Sequence, residues 1–437
     1  GHQPELFHPG VWLKNFALHG LARRHQAVPL NLMVDNDNAK STVLPVPGDA
    51  HLVKVPFDSW HSEVPFEERT VQDEELFASL PARVRPLLRD WPFRPLLDEF
   101  WSAALVQRKR TPLLGERFAA GRRLVERAWG LQPLEVPLSW LCETEAFTWF
   151  ALHVLGDLPR FQAAYNDALR SYRRRHGLRS RLHPVPDLAR DGAWLEAPFW
   201  VWRHGEPRRQ RLWASFHDDN LELRAGTTPW PSLRGNLATQ AAQWRQRAAA
   251  GCKIRTRALT TTLFARLLLG DLFIHGIGGG KYDEVTDDLF RQFYSVEPPR
   301  YLILTATLLL PLQRFPDAAA ERERLRRLQR DLYWNPQRHL DGAATAAQPL
   351  VNEKQSWIER PCVSDEERVQ RFSQLRHLNE QLQAFTRPAL ASARKRCAEV
   401  EHLEHLHAMR SSREYAFCLY PEEMLRGFYQ DFIRGPV

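Results

Sequence analysis

Hydrophobic and polar positions in the first forty residues predict a helix followed by a strand. In Gly10–His25 the apolar residues recur with a spacing close to 3.6, which is typical of one amphipathic helix. The apolar run VPLNLM then predicts a strand that ends in the polar sequence VDNDN. In nucleotide-binding α/β folds a strand precedes the first helix. We therefore expect the first strand to lie upstream of Gly1, with GHQPELFHPG as the ligand-facing turn that follows it.

The same alternation of strands and helices returns later in the chain. DLFIH predicts a strand, the glycine-rich HGIGGGKY a loop before a helix, and YLILTATLLL a buried parallel strand. We predict an α/β fold with a Rossmann-like core over residues 1–315. Two segments are expected to be inserted in it, one around 45–130, irregular in its first part, and an antiparallel β segment at 194–226.

Beyond Pro316 the pattern becomes helical. Leu325, Leu328 and Leu332 form a seam with a spacing of three and four, and similar seams lie on either side of Pro388. This predicts a helical coiled-coil hairpin over residues 316–437 that returns to the core, with separate helices before and after Pro388. The hairpin could form the seam of a homodimer or fold back on its own body, and its apolar faces do not decide between the two.

Charge and composition narrow the classes of function. The 437-residue chain has a formal net charge of +8, supplied almost wholly by arginine. The densest clusters, Arg173–Arg175 with Arg179 and Arg181, and Arg208–Arg211, are short. They favour a solvated face over nucleic-acid binding and are compatible with small anionic substrates.

Membrane insertion, disulfides and metal sites find no support in the sequence. No run of about 18 apolar residues is present, and no secretory leader is visible, so we predict a cytoplasmic protein that does not enter a membrane. The five cysteines are widely spaced, which argues against both a disulfide framework and a zinc finger. His402, His405 and His407 lie on an arginine-rich helix, where solvated surface is the better interpretation, and we predict no metal site.

The segment from His275 to Lys281 is the first candidate for chemistry. Its glycines, Gly276, Gly278, Gly279 and Gly280, could adopt positive φ and direct backbone amides at an anion, with Lys281 adding a charge and His275 exchanging a proton. The spacing does not fit a phosphate-binding Walker loop. The alternative is a tight strand-to-helix turn in which Asp283 caps the helix.

The second candidate is the turn formed by Asp35, Asn36 and Asp37. Ligands of open α/β sheets bind at the carboxyl ends of strands, where this turn lies, so its side chains could hold a ribose, an amine or a metal ion. Asp and Asn are also ordinary turn residues, which leaves a purely structural role open.

Three short stretches resemble the bacillithiol-biosynthesis cysteine-adding enzymes, the BshC family. GHQPELF is similar to the opening turn of that family, Asp35–Asp37 falls where the family has Asp-His-Asp, and Ile277–Gly279 falls on its Ile-Gly-Gly loop. Asn36 stands in place of the family's histidine, Gly280–Tyr282 in place of its Pro-Gly-Glu, and Lys14 two places before its helix lysine. The likeness covers most of the chain in architecture but only these motifs in residues.

The resemblance implies a nucleotidyltransferase-like fold and a ligase. Such an enzyme would join the carboxyl group of cysteine to the amino group of glucosaminyl malate through an amide bond, with ATP or ADP as a possible nucleotide. The alternative is a protein that keeps the fold and binds a small molecule or nucleotide without catalysis. Two groups of residues are expected at the cleft. The candidate catalytic residues are His2, His8, Asp37 and His275. The candidate binding residues are Gly1, Gln3, Asp35, Asn36, Gly276, Gly278, Gly279, Gly280 and Lys281.

Roles follow as hypotheses from the same resemblance. His2 and His8 would stabilise charge on an activated carboxylate or phosphate. Asp35 and Asp37 would hold an amine or hydroxyl groups, and the glycine amides with Lys281 would bind an anion. The expected partners are small molecules, an amino acid and a sugar acid, with no nucleic acid and no membrane.

Overall fold

The computed structural model describes residues 1–180, 182–217, 220–313, 318–340 and 344–434. Arg181 of the first basic cluster, Asp218 and Asp219, and the expected domain boundary after residue 315 lie outside the described residues.

The protein is a mixed α/β structure. The α-helices are α1 (Pro9–His25), α2 (Glu74–Val84), α3 (Leu97–Val106), α4 (Leu114–Ala128), α5 (Leu138–Leu141), α6 (Glu145–Gly156), α7 (Leu158–Arg175), α8 (Leu237–Ala249), α9 (Ala258–Leu268), α10 (Ile277–Leu289), α11 (Ala319–Trp334), α12 (Ala344–Glu359), α13 (Asp365–Arg410) and α14 (Glu422–Arg434). The strands are β1 (Leu30–Met33), β2 (Val43–Pro47), β3 (Leu52–Pro56), β4 (Leu134–Pro137), β5 (Arg190–Asp191), β6 (Trp194–Arg203), β7 (Glu206–His217), β8 (Asn220–Ala225), β9 (Thr228–Arg234), β10 (Cys252–Thr256), β11 (Leu272–His275) and β12 (Arg300–Ile303).

The chain divides into two compact units. The larger consists of Gly1–Val46, Val53–Leu310 and Arg413–Val437. The smaller consists of Pro47–Leu52 and Pro311–Ser412. The final residues of the chain, including α14, therefore belong to the larger unit.

Two parallel strand pairs position the candidate site in the larger unit. β1 pairs with β4, with Leu30 opposite Leu134, and β11 pairs with β12, with Leu272 opposite Arg300. Helix α1 packs on both β1 and β11, so one helix covers both pairs. The helix and the strand that the N-terminal sequence predicts are both confirmed.

A buried charge network fixes α1 against its neighbours. The carboxylate of Glu126, which is fully buried, accepts hydrogen bonds from Trp12 Nε1 and Asn15 Nδ2, each at 2.7 Å. Arg122 lies between Glu126 and Glu135 and forms ion pairs with both. Since each buried charge has a partner, the network ties α1 and α4 to the start of β4 without leaving an isolated charge in the core.

The later parallel strand is shorter than the sequence predicts. The apolar run 301–310 was expected to form one strand, but β12 ends at Ile303, and residues 304–310 have no regular secondary structure. The last bond of this ladder runs from the Leu304 amide to the His275 carbonyl oxygen. Because β11 ends at His275, no strand is present for the remaining residues to pair with.

The segment around 45–130 is more regular than expected. It contains β2, β3 and the helices α2, α3 and α4. Aromatic side chains hold these helices together: Phe77, Phe100, Trp101 and Phe118 have ring centroids 4.7 to 6.2 Å apart. Burial of these rings stabilises a packed layer of helices. The prolines and charged residues of the sequence had instead suggested irregular structure in the first part of this segment.

The antiparallel segment predicted at 194–226 is confirmed and is larger than the prediction. The order of its main strands is β10-β6-β7-β8-β9, and β5 pairs with β6. Its inner face forms one hydrophobic core with α6, α7 and α9, which includes Phe147, Phe161, Phe199 and Phe264. The sheet therefore covers a core.

The smaller unit is built on one long helix. α13 runs through Pro388, where the sequence predicted a break between two helices. Hydrogen bonds from Gln383 to Tyr333 and from Gln329 to Ala393 bind α13 to α11 on both sides of the proline, which offsets the lost backbone bond. Arg322 pairs with Glu404 near the opposite ends of the two helices, so they are antiparallel.

The expected hydrophobic seam packs within this unit. Leu325 of α11 packs against Cys397 and Val400 of α13, and Ala347 of α12 packs against Leu382. Part of each seam is thus filled by a helix of the same chain, whereas Phe372 and Phe385 of α13 are exposed.

Candidate functional site

The N-terminal residues lie beside the end of strand β1. The His2 amide donates to the carbonyl oxygen of Leu32 at 3.0 Å, and the Val34 amide donates to that of His2 at 2.9 Å. A Cβ on Gly1 would lie 2.6 Å from the Leu32 oxygen, so the close approach requires glycine at this position. The pairing brings Gln3 to the polar turn that follows β1.

Asp37 is the charged centre of that turn. Its carboxylate accepts a hydrogen bond from Gln3 Nε2 at 2.9 Å and forms an ion pair with Arg209 at 3.0 Å. Burial alone would raise the pKa of Asp37, but the bonds from Gln3, Arg209 and the Asn38 amide hold that pKa below its usual value. The group is therefore an ionised acceptor at neutral pH.

A cavity of about 300 Å³ opens beside Asp37. The guanidinium groups of Arg209 and Arg257 lie 5.2 and 4.8 Å from the ring of Trp200, which forms part of its wall. Arg257 also pairs with the buried Glu196 at 2.5 Å and directly precedes α9. The cavity thus offers a carboxylate, two cations and an aromatic face.

Asn36 has a structural position in the same turn. Its side chain is buried and donates from Nδ2 to the Thr256 carbonyl oxygen at 2.9 Å. Its own carbonyl oxygen accepts from Arg209 at 3.0 Å. The residue therefore ties the turn to the end of β10 and to the arginine of the cavity.

Asp35 lines a different, smaller cavity. It accepts hydrogen bonds from the amide and the hydroxyl of Ser139 at 2.9 and 2.5 Å. Burial, followed by repulsion from Glu67, raises the pKa of Asp35 to about 6. This cavity of about 160 Å³ also borders Lys253, so the two carboxylates of the DND turn belong to different environments.

His2 and His8 are neutral at physiological pH. His2 Nδ1 lies 3.0 Å from the Gln3 carbonyl oxygen, and burial together with the nearby Lys14 lowers the pKa of His2 to about 3. His8 is the N-cap of α1, where its Nδ1 accepts from the Gly10 amide at 3.1 Å, and burial lowers its pKa too. Neither ring brings positive charge to an activated carboxylate or phosphate.

The glycine-rich segment is a helix start and not the loop that the sequence predicts. Helix α10 begins at Ile277, so Gly278, Gly279 and Gly280 lie in its first turn. None of the glycines from 276 to 280 has a positive φ. Close packing explains two of them, since a Cβ at 279 would lie 2.6 Å from His275 Nδ1 and one at 280 would collide with Ile303. Around Gly278 the space is open.

His275 is held in a buried ion-pair network. Its Nε2 lies 2.7 Å from Asp283 Oδ2, and the same oxygen accepts from Arg266 at 2.8 Å. Arg266 and Asp283 are each only 1 to 2% exposed. Asp283 therefore neither caps α10 nor faces solvent, and the His275 imidazole is fixed by its own protein partners.

Lys14 lies at the N-terminus of α10. Its Nζ is 3.7 Å from the position that a Cβ would take on Gly276, the N-cap of that helix. Burial lowers the pKa of Lys14 to about 8, and among the described residues it has neither a hydrogen bond nor an ion pair. An ammonium group without a protein partner beside a helix N-terminus is a ready site for an anion.

The structure separates the residues that the sequence grouped together. Gln3, Asn36 and Asp37 share one cavity, and Asp35 borders another. His275 points to Asp283, and Lys281 is exposed on α10. Gly1 and His2 lie beside β1.

Four residues of the site were not predicted from the sequence. Arg209 lies in a cluster that was interpreted as a solvated face, and Arg257 and Trp200 belong to no motif. The departure of Lys14 from the family's lysine position was noticed, but the residue was not predicted to be part of the site. The signal that could have identified it is its place in the chain, directly after the buried pair Trp12 and Leu13 and before the buried Asn15.

Metal sites, membrane spans and similarity to known proteins were each searched for. Among the described residues no group of three or more His, Cys, Asp and Glu side chains is arranged to hold a metal ion. Within the same ranges, no helix has the length and apolar character needed to cross a bilayer. No family model matches the chain, and no curated protein matches its sequence.

Proposed function

We propose that the protein is a ligase that joins the carboxyl group of an amino acid to the amino group of an amino-sugar acid. Cysteine and glucosaminyl malate are the substrates that the family resemblance implies. The observation that carries the proposal is the Lys14 amine at the N-terminus of α10, which has neither a hydrogen bond nor an ion pair among the described residues. The charged cavity beside Asp37, after β1, is the second part of the proposed site. Such a site suits small anionic molecules.

Lys14 and the first turn of α10 would bind the anion. At pH 7 a group with a pKa of about 8 is largely protonated, so Lys14 presents a positive charge. The exposed amides of the helix N-terminus add their partial positive charge, and the open space at Gly278 allows a ligand to approach them. A carboxylate or the phosphates of ATP or ADP fit this donor set.

The cavity beside Asp37 would hold the second substrate. The ionised Asp37 is an acceptor for an amino group or for sugar hydroxyls, and Gln3 keeps the carboxylate in position. Arg209 and Arg257 would pair with the carboxylates of a sugar acid, and Trp200 offers a face for a sugar ring. This cavity combines both signs of charge, as a zwitterionic or polyacidic substrate requires.

Amide formation sets clear chemical demands. The amine nitrogen attacks the carboxyl carbon, the C–N bond forms, one carboxyl oxygen leaves, and the amine loses a proton. ATP, when bound, would supply the phosphoryl group that turns this oxygen into a good leaving group. The protonated Lys14 would stabilise negative charge on that oxygen, and Asp37 would orient the amine.

The proposal extends to the architecture. The two parallel pairs, β1 with β4 and β11 with β12, would belong to one Rossmann-like, nucleotidyltransferase-like sheet. Their common helix α1 and the position of polar residues after β1 and β11 support this assignment.

A second candidate is a binding protein of the same fold without catalysis. His275 is tied to the buried Asp283, and His8 is occupied as a helix cap. His2 has a pKa of about 3, too low for a proton acceptor that works well at neutral pH. None of the three histidines is thus well suited to transfer a proton at neutral pH, which favours a protein that binds its ligand without catalysis.

A thermal-shift screen tests both candidates. The protein is heated alone and with ATP, ADP, cysteine and glucosaminyl malate, singly and together, because a ligand at a hundred times its Kd stabilises by about 2.7 kcal/mol. The same mixtures are analysed for a new amide by mass spectrometry. Lys14→Met tests the anion site, and Lys281→Met is the matched control on α10.

The outcomes separate the candidates. A stabilisation that Lys14→Met removes and Lys281→Met retains, together with amide product, supports the ligase. The same stabilisation without product supports the binding protein. If none of the four compounds stabilises the folded protein, or Lys14→Met changes nothing, the assignment of the site is wrong.

A further inference from the structure

The cavity beside Asp37 is lined by a polar group that has no protein partner, the hydroxyl of Tyr165. This tyrosine lies on α7 and forms part of the cavity wall. The residue is only 4% exposed, and among the described residues its hydroxyl forms no hydrogen bond. A buried hydroxyl without a partner loses the hydrogen bonds that water would give it, so its presence in the wall of a cavity calls for an explanation.

A second tyrosine, Tyr294, shows what is special about the position of Tyr165. The Tyr294 hydroxyl also has no hydrogen bond among the described residues, but its oxygen is enclosed by protein, and Tyr294 does not line the cavity. The Tyr165 oxygen is not enclosed in this way. Since the rest of Tyr165 is buried, the open side of its oxygen is the cavity. The hydroxyl is therefore directed at space that a ligand can fill.

The Tyr165 hydroxyl is a hydrogen-bond donor at neutral pH. Burial raises the pKa of Tyr165 to about 12, although the nearby Arg257 acts in the opposite direction. The phenol thus keeps its proton under physiological conditions. A hydroxyl forms its strongest hydrogen bonds with a negatively charged acceptor, so a carboxylate oxygen is the acceptor that suits this position best.

Arg257 supplies a second donor close to the same hydroxyl. Its Nη1 donates to Glu196, and its guanidinium lies 4.8 Å from the centre of the Trp200 ring. A guanidinium has five N–H donors, so the bond to Glu196 leaves others for a ligand. Glu196 also forms an ion pair with Arg211 at 3.3 Å, which balances part of its charge from another side chain.

We propose that the Tyr165 hydroxyl and the Arg257 guanidinium together bind a carboxylate of the ligand, so that this cavity selects sugar acids over neutral sugars. Inside the cavity Arg209 is paired with Asp37. The partner of Arg257 does not line the cavity, so a ligand can approach the guanidinium from that side. The assignment rests on the proposed function, in which the same cavity holds the sugar acid, and it adds the hydroxyl that recognises the acid group.

Tyr165→Phe tests the proposal, and Tyr294→Phe is its matched control. Each change removes one hydroxyl that has no hydrogen bond among the described residues, so neither should lower Tm by more than about 2 °C. Calorimetric titration measures Kd for glucosaminyl malate, which carries carboxylates, and for methyl glucosaminide, which has none. Amide formation with cysteine and ATP is assayed on the same three proteins.

We expect glucosaminyl malate to bind Tyr165→Phe at least about tenfold more weakly than the parent, the usual effect of one hydrogen bond to a charged group. Tyr294→Phe should bind it as the parent does. Methyl glucosaminide should bind the parent at least about tenfold more weakly than glucosaminyl malate does. An unchanged Kd in Tyr165→Phe would overturn the inference, and so would a parent protein that binds neither compound or binds both equally.

The amide assay separates this inference from the ligase. If glucosaminyl malate binds in a way that depends on Tyr165 but no amide forms, the carboxylate site stands and the ligase is refuted. If amide forms and Tyr165→Phe binds glucosaminyl malate as the parent does, the ligase stands and the carboxylate site is refuted.

Discussion

Two groups of charged residues in this protein are in opposite conditions. His275, Asp283 and Arg266 are buried, and Asp283 bonds to both of the others. Asp37 borders an open cavity, and Lys14, beside the start of α10, has neither a hydrogen bond nor an ion pair among the described residues. The first group resembles a catalytic cluster in its residue types, but its charges are paired with one another. In the second group Asp37 is paired with Arg209, and the charge of Lys14 is left to bind something else. Whether a charge already has a partner says more about function than which residue types lie together.

The largest expected effect on stability comes from removing Asp283, the shared acceptor of the buried network with His275 and Arg266. Asp283→Ala would leave Arg266 and His275 buried without their shared acceptor, so we expect the free energy of unfolding to fall by about 3–5 kcal/mol. Chemical denaturation at pH 7 measures the loss. If the free energy of unfolding changes by less than about 1 kcal/mol, this network does not stabilise the core.

The next largest effect is the pH dependence that Asp35 gives to the stability of the protein. Its folded pKa of about 6 exceeds the ordinary 3.8, so the protonated form favours folding. This contribution is complete below about pH 4 and is lost as pH rises through 6. Asp35→Asn, which keeps a partner for Ser139, should be more stable than the parent above pH 6 by up to about 3 kcal/mol. Parallel stability curves for the two proteins from pH 4 to 7 would contradict the raised pKa.

The variant Lys14→Met tests the proposed anion site at the start of α10. Loss of the charge should weaken binding of the ligand found in the thermal-shift screen by about 10- to 100-fold, which corresponds to one charged hydrogen bond. Stability without ligand should not fall, because among the described residues the amine has no hydrogen bond or ion pair to lose. Calorimetric titration of parent and variant measures the first effect, and a strong loss of stability would instead indicate a structural lysine.

The same lysine predicts a pH dependence of binding. Since its pKa lies near 8, affinity for an anion should be constant below that pH and decline above it, by up to about tenfold per pH unit. Titrations at pH 7, 8 and 9 would show the decline in the parent protein. Lys14→Met should show none, and an unchanged affinity in the parent would remove Lys14 from the anion site.

The smallest effect is expected at Lys281. It belongs to the glycine-rich segment but is exposed on α10. Lys281→Met should change stability by less than about 0.5 kcal/mol and leave ligand affinity as it is. A clear loss of affinity would show that the anion is bound further along α10 than Lys14 and the first turn.

Local pattern was sufficient for much of the fold. The spacing in α1 and the apolar run of β1 predicted both elements, and alternation in 194–226 predicted the antiparallel sheet. Contacts between distant segments decided what the pattern could not. Pro388 lies inside a helix because α11 packs along it, and the run 301–310 is mostly irregular because β11 is short.

In the candidate site, too, local pattern identified some residues, and contacts between distant segments brought in the others. The turn after β1 was found from its residue types, but Arg209 and Arg257 reach it from 172 and 220 residues beyond Asp37. The glycines were noticed for their freedom of φ, whereas two of them are needed for close packing on His275 and Ile303. Which charges are satisfied is a property of the tertiary structure and leaves no trace in local spacing.

The central claim is that Lys14 is a protonated, unpartnered anion-binding group, and NMR of lysine labelled with ¹³C at Cε tests it most directly. The signal missing from Lys14→Met is followed from pH 6 to 11, with and without ATP, the probe anion. We predict a midpoint near 8 in the free protein and a clearly higher one with ATP, because a bound anion stabilises the charged form. A midpoint near 10.5 that ATP does not move would contradict the account.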